Sequence, residues 1–207
     1  MKTKEKILEA ALRLFSSKGY EAISMEDIAQ KVGIKAPSIY KHFKSKDSIF
    51  QSLIQELESR YQMAAAELDL DGNDPLKDSV YYAGISKADL TETGLQLFSF
   101  FVHDEKTAQF RRLLSLEQYR NPELAALYTS QYFDQPLAYH RRIFSELIQQ
   151  GILHNGDPET MAVQFVSPIL QLIALVDRDP EREEKARAMI RRHIEQFSKV
   201  YGKKESA

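Results

Sequence analysis

The chain has no cysteine and no tryptophan, and only 8 glycines and 7 prolines in 207 residues. Without cysteine there is no disulfide framework, no thiol nucleophile and no Cys-ligated zinc or iron–sulfur site. Gly and Pro together are about 7% of the chain, against roughly 12% in average usage, too few breakers for a turn-rich β fold. No export signal is visible, because Met1–Lys6 is charged and no apolar core follows it. The longest uncharged stretch, Thr160–Val176, is interrupted by Gln164, Ser167, Pro168 and Gln171. It falls short of the roughly 18–20 apolar residues of a membrane span, and reads as a helix buried inside the protein or at a subunit interface. The expectation is a cytoplasmic protein with no membrane partner.

What is present is the balance of a globular helical chain, 43% apolar and 28% charged, long enough to bury a core without staples. The net charge of −2 is uneven: the first fifty residues carry an excess of four positive charges, and the remainder an excess of six negative ones. A basic head on an acidic body suggests that the head meets a polyanion.

Helical periodicity runs along the chain. Ile7, Ala10, Ala11, Leu14 and Phe15 form an i, i+3, i+4 stripe that Gly19 stops. Ser24 precedes a second stripe of Met25, Ile28, Ala29 and Val32, with Asp27 as the capping-box acid and Gly33 as the stop. Pro37 suits the first turn of a third, short helix through Phe43, in which Ile39 and Phe43 face inward. A fourth helix starts near Lys46, residues 69–75 form a loop, and helices follow over about 76–84, 89–102, 105–120, 122–150, 158–177 and 181–201. Pro136 is expected to kink or split its helix. Leu95–Val102 could pass for a buried strand, but no pairing strand is evident. A short polar tail follows from Gly202.

Two short helices joined by a tight glycine turn, Ser24–Val32 and Pro37–Phe43, have the dimensions of a helix-turn-helix, in which one helix braces on the phosphate backbone while the other enters the major groove. The same pattern also fits an ordinary helical hairpin with a solvated basic face. Enzyme signatures are missing. The five histidines, His42, His103, His140, His154 and His193, are scattered, and none has a glutamate three residues before it. There is no His-Glu-x-x-His, no Gly-rich phosphate loop and no Gly-x-Ser-x-Gly. A helical enzyme and an interaction module that binds no DNA stay as alternatives.

The run Gly33-Ile34-Lys35-Ala36-Pro37-Ser38-Ile39-Tyr40-Lys41-His42-Phe43-Lys44-Ser45-Lys46-Asp47 closely resembles the DNA-binding signature of TetR-family transcriptional regulators. Ile7-Leu8-x-Ala10-Ala11-x-x-Leu14-Phe15, Gly19-Tyr20 and Ser24-Met25-x-Asp27-Ile28-Ala29 fit the same pattern, over about residues 4–54. The resemblance implies that Lys35, Ala36, Pro37 and Ser38 lie at base edges. It puts Ser24, Tyr40, His42 and Lys46 at phosphates, with Lys41 nearby. Ala36-Pro37-Ser38 stands where many members carry a Gly or Ser and a Thr. Few base-edge donors would shift weight to phosphate contacts and DNA shape.

The resemblance further implies an all-α fold, with residues 1–47 a three-helix helix-turn-helix domain and residues 48–207 a helical ligand-binding and dimerisation domain. The function it implies is that of a ligand-responsive regulator, mostly a repressor in this family. Such a protein binds a palindromic double-stranded DNA operator as a homodimer and is released by a small apolar or amphipathic effector. It is not an enzyme, and it needs no cofactor or metal. Pairing would use helices near 122–150 and 158–177, with Phe165, Val166, Ile169, Leu170, Leu172 and Ile173 at the interface. Phe98, Phe101, His103, Tyr119, Tyr132 and Phe165 are the candidate pocket lining.

Overall fold

The computed structural model describes residues 2–203, which are helical with no β-strand among them; a single bridge joins Leu153 and Gly202. Residues 204–207, most of the expected polar tail, lie outside the described residues. The N-terminal helices are α1 (Thr3–Lys18), α2 (Met25–Val32), α3 (Ala36–Ile39) and α4 (Lys46–Ala66). Then come α5 (Pro75–Gly84), α6 (Lys87–His103), α7 (Glu105–Glu117) and α8 (Pro122–Thr129). A π-helical turn over Ser130–Asp134 leads into α9 (Gln135–Gln149), followed by α10 (Pro158–Arg178) and α11 (Glu183–Tyr201). Leu95–Val102 is helical, inside α6.

The long helix expected over 122–150 is split, as Pro136 demands. A proline has no N–H to give, and the chain absorbs the missing rung by widening into the π turn just before it, leaving Pro136 in the first turn of α9. The recognition segment is shorter than expected. Its α-helix ends at Ile39 and continues to Phe43 only as turns, with Phe43 N–H donating to Ile39 O at 3.0 Å.

Two compact units form. The first combines residues 2–60 with 105–128, so the boundary expected at residue 47 falls in the first turn of α4 rather than at a break in packing. Its core comprises Ile7, Ala11 and Phe15 of α1, Ile28 and Ala29 of α2, Ile39, Phe43, Ile49 and Leu53, all buried. α7 packs on α1 and buries Phe110, Leu113 and Leu114. Each such side chain contributes about 1.5–3 kcal/mol when fully buried.

The second unit comprises residues 61–104 and 129–203. One cluster in it joins α6, α10 and α11 through Leu95, Phe98, Leu172, Ile173, Ile190 and Ile194. Another joins α9, α10 and α11 through Ile143, Phe144, Leu147, Met161 and Phe197. The loop after α4 is tied down by the buried Asp78. Its carboxylate accepts the N–H groups of Asp71 at 2.7 Å and Gly72 at 2.8 Å, and the Tyr139 hydroxyl of α9.

The uncharged stretch is only partly covered within one chain. It belongs to a helix of 21 residues, long and apolar enough to cross a membrane by length and composition. In this fold it packs against α6, α9 and α11, yet only 33% of its most apolar window is buried. Val163, Gln164, Ser167, Pro168 and Gln171 form an exposed, uncharged stripe along it.

Candidate nucleic-acid interface

Local chemistry builds the head. Ser24 and Asp27 close a reciprocal box at the start of α2. Asp27 N–H donates to Ser24 Oγ at 3.1 Å, while Ser24 N–H and Oγ–H donate to Asp27 Oδ2 at 2.8 and 2.6 Å. These bonds favour the ionised acid and hold the Asp27 carboxyl below its ordinary value. Gly33 ends α2 in the left-handed region at φ 78°, and its N–H bonds back to α2. The chain can then turn within three residues into α3, which begins after Lys35 and which Pro37 stiffens.

That turn sets one face of the head outward. Lys35, Pro37, Tyr40, Lys41, His42 and Lys44 are exposed, and Ala36 and Ser38 half-exposed, while Ile39 and Phe43 are buried beneath them. Ser24 is exposed at the start of α2, although its hydroxyl already serves the cap. Lys46 is placed differently from the others. Its ammonium donates to Tyr20 O at 2.9 Å, lies 4.2 Å above the Tyr20 ring and sits 3.9 Å from Glu21 Oε2. Lys4, which no motif singled out, stands over the Phe43 ring at 5.4 Å. The arrangement can do what a groove-reading head requires: a short helix N-terminus free to approach base edges, flanked by cations and hydroxyls for phosphates.

Of the six pocket candidates, His103 lines a groove in the second unit. This open groove of about 420 Å³ is lined by Ala64 of α4, by Leu68 just after it, and by Gln96, Leu97, Phe100 and His103 of α6. His103 also accepts or donates at both ring nitrogens, to Ser99 Oγ at 3.1 Å and Glu183 Oε2 at 3.0 Å. Phe98 is core, 1% exposed. Phe101 stacks on Tyr61 at 5.9 Å, and Phe165 sits among His140, Phe144, His193 and Phe197 with ring centroids 4.9–5.6 Å away. Tyr132 lies in the π turn. Tyr119 is 90% exposed and belongs to the first unit.

The interface candidates divide likewise. Val166, Leu172 and Ile173 turn into the core of their own protomer, because α6, α9 and α11 cover that side of α10. Phe165, Ile169 and Leu170 are half-buried. Sequence reasoning missed Glu117, a buried carboxylate that accepts the Tyr20 N–H at 2.9 Å. No local signal could find it, since the two lie far apart in the chain.

By its fold and head this is a helical protein with an N-terminal helix-turn-helix. Residues 7–53 match the model of bacterial regulatory proteins of the tetR family, and residues 88–203 that of the AefR-like transcriptional repressor C-terminal domain. The second match spans more than half the chain, and the protein belongs to the TetR family of transcriptional regulators.

Among curated relatives it is similar to IcaR of Staphylococcus aureus, the negative transcriptional regulator of the biofilm operon icaADBC. The two are 46% identical over 52 residues, 25% of this chain and 28% of that protein, so the match covers only part of either chain. Two solved structures share the fold. A TetR-family regulator from Pseudomonas syringae pv. tomato has a TM-score of 0.68 at 19% identity, covering 98% of both chains. SmeT, the repressor of the Stenotrophomonas maltophilia multidrug efflux pump SmeDEF, solved as a complex with triclosan, has a TM-score of 0.67 at 20% identity, covering 97% of this chain and 92% of its own.

Proposed function

We propose that this regulator is a cytoplasmic homodimeric repressor that binds a near-palindromic operator and is released by a small apolar or amphipathic molecule. The observation that carries the reading is the outward face of the head: an accessible α3 N-terminus with Lys35, Pro37, Tyr40, Lys41 and His42 exposed around it. Lys35, Ala36, Pro37 and Ser38 approach base edges. Ser24, Tyr40 and His42 hold phosphates, with Lys41 beside them. Repression is supported by the matched C-terminal model and by IcaR and SmeT, whose names describe repressors.

Pairing is supported by the uncharged stripe of α10, which a second copy of the chain would cover at no cost in buried charge. Two-fold symmetry then sets the recognition helices about one DNA turn apart, roughly 34–36 Å. SmeT's complex with triclosan supports an apolar effector, and the α4–α6 groove at His103 offers the space for one. An effector acts only through a difference in affinity for the two spacings of the heads.

The test is binding of the full chain to the DNA upstream of its own gene against scrambled duplex, at two salt concentrations. A two-fold-symmetric footprint with a steep salt slope is expected. No binding at low salt would overturn the reading.

A further inference from the structure

The turn between α1 and α2 is gripped from two sides. Glu117, the last residue of α7, is 3% exposed and accepts the Tyr20 N–H through Oε1 at 2.9 Å. A Cβ on Gly19 would stand 2.5 Å from that same oxygen, so only glycine admits the carboxylate at this distance. Beyond α7, Asn121 Nδ2 donates to Glu21 Oε1 at 3.1 Å. From the other side Lys46, in the first turn of α4, donates to Tyr20 O at 2.9 Å and covers the ring. Both backbone polar atoms of Tyr20 are therefore held, one by α7 and one by α4. The Tyr20 ring is wedged between Phe15 and Phe50, at 5.1 and 5.2 Å, and Phe50 packs on Phe110 of α7 at 5.6 Å.

A buried carboxylate is an expensive way to fill this space, because an apolar side chain would avoid its desolvation. What a carboxylate adds is direction: a charge-assisted hydrogen bond fixes where the turn sits on the end of α7. That turn leads directly into the Ser24 cap and so into α2 and α3. α7 in turn follows α6 with Asp104 alone between them.

The geometry points to Glu117 as a positioning residue for operator binding, holding the helix-turn-helix at a set angle on α7 through Tyr20, with Lys46 as the second arm of the clamp. The inference rests on the DNA-binding reading above. Glu117 touches no DNA in it. It sharpens the geometry in which both heads meet two half-sites at once, which a loosened head would do at an entropic cost.

The experiment uses the full chain, a duplex that the wild type selects from a random pool, and a second duplex carrying one half of that site. For Glu117→Leu we expect about tenfold weaker binding to the full site, the scale of one hydrogen bond to a charged group. Half-site binding and the salt slope stay unchanged. Glu117→Gln keeps a carbonyl oxygen for the Tyr20 N–H and restores full-site affinity. Thermal unfolding is followed in parallel. Should Glu117→Leu not fold, Asn121→Ala and Glu21→Ala loosen the same joint at its surface, and a smaller loss confined to the full site is expected. Equal losses on full and half sites would reduce Glu117 to a folding role and overturn the inference. So would unchanged affinity, or tighter binding at every salt concentration, the mark of a removed repulsive charge. A selected duplex bound alike by all variants defeats this inference alone, whereas a wild type that selects no duplex defeats the DNA-binding reading and this inference with it.

Discussion

Tyrosine carries much of the buried polar chemistry of this chain. Burial and the nearby carboxylates of Asp47, Glu21 and Glu123 push the Tyr20 hydroxyl up to about 12 from 10.0. Burial and Asp78 do the same for Tyr61, also to about 12. Tyr82 and Tyr139 are raised as well, chiefly by burial, and Tyr139 further by its hydrogen bond to Asp78. An acid whose pKa is higher folded than unfolded keeps its proton longer in the folded chain. Stability is therefore level below pH 10 and falls as pH rises through the window from about 10 to about 12. Absorbance at 295 nm during alkaline titration should show these hydroxyls ionising together with unfolding. Ionisation of Tyr20, Tyr61, Tyr82 and Tyr139 near pH 10, with the fold intact, would contradict it. Asp78 bears a second residue-scale prediction. Asp78→Ala strips the acceptor from two backbone N–H groups and the Tyr139 hydroxyl, at about 1–3 kcal/mol for each group left buried and unpaired. Urea denaturation should show a loss of at least about 3 kcal/mol.

At the scale of elements, α2 and α3 are legible because their signals are local. The box of Ser24 and Asp27, the stop at Gly33 and the proline at 37 all lie within a few residues of the structure they specify. Gly33 separates backbone strain from packing, since a Cβ there would meet nothing within 4 Å while φ is 78°. Gly33→Ala is thus expected to cost about 1–2 kcal/mol, the left-handed penalty alone. A thermal melt checks this; a larger loss would mean that the turn itself had been rebuilt. α10 shows where local reading stops. Its apolar residues run nearly all round the helix, so periodicity could not say that Val166, Leu172 and Ile173 point inward while Val163, Ser167 and Pro168 stay uncovered.

For the molecule as a whole, the proposed pairing and DNA binding make separate predictions. Val163 is 44% exposed at the start of the uncharged stripe, and Val163→Glu puts a carboxylate from each copy into a dimer interface formed there. Sedimentation equilibrium should show a folded monomer, and loss of full-site affinity beyond that of any head mutation. A dimer of wild-type strength would move the interface off α10. Lys41 is exposed beside α3. Lys41→Ala should weaken binding to all sequences alike and flatten the salt slope by about 0.9, the share of a single neutralised phosphate. A changed base preference at constant slope would instead make Lys41 a base reader.

The sequence by itself determined the helical class, the helix-turn-helix and the outward residues of its second helix. Stripes, caps and stops act over a few residues, and a short helix on a small core has only one side to expose. The tertiary structure decided what depends on partners distant in the chain. It joined α7 to the N-terminal head through Glu117 and Tyr20. It also engaged Lys46 with Tyr20, placed Phe98 in the core and left Tyr119 in solvent. An aromatic or a carboxylate carries no mark of its destination, because packing between whole elements, not the pattern within one, determines which side of it water reaches.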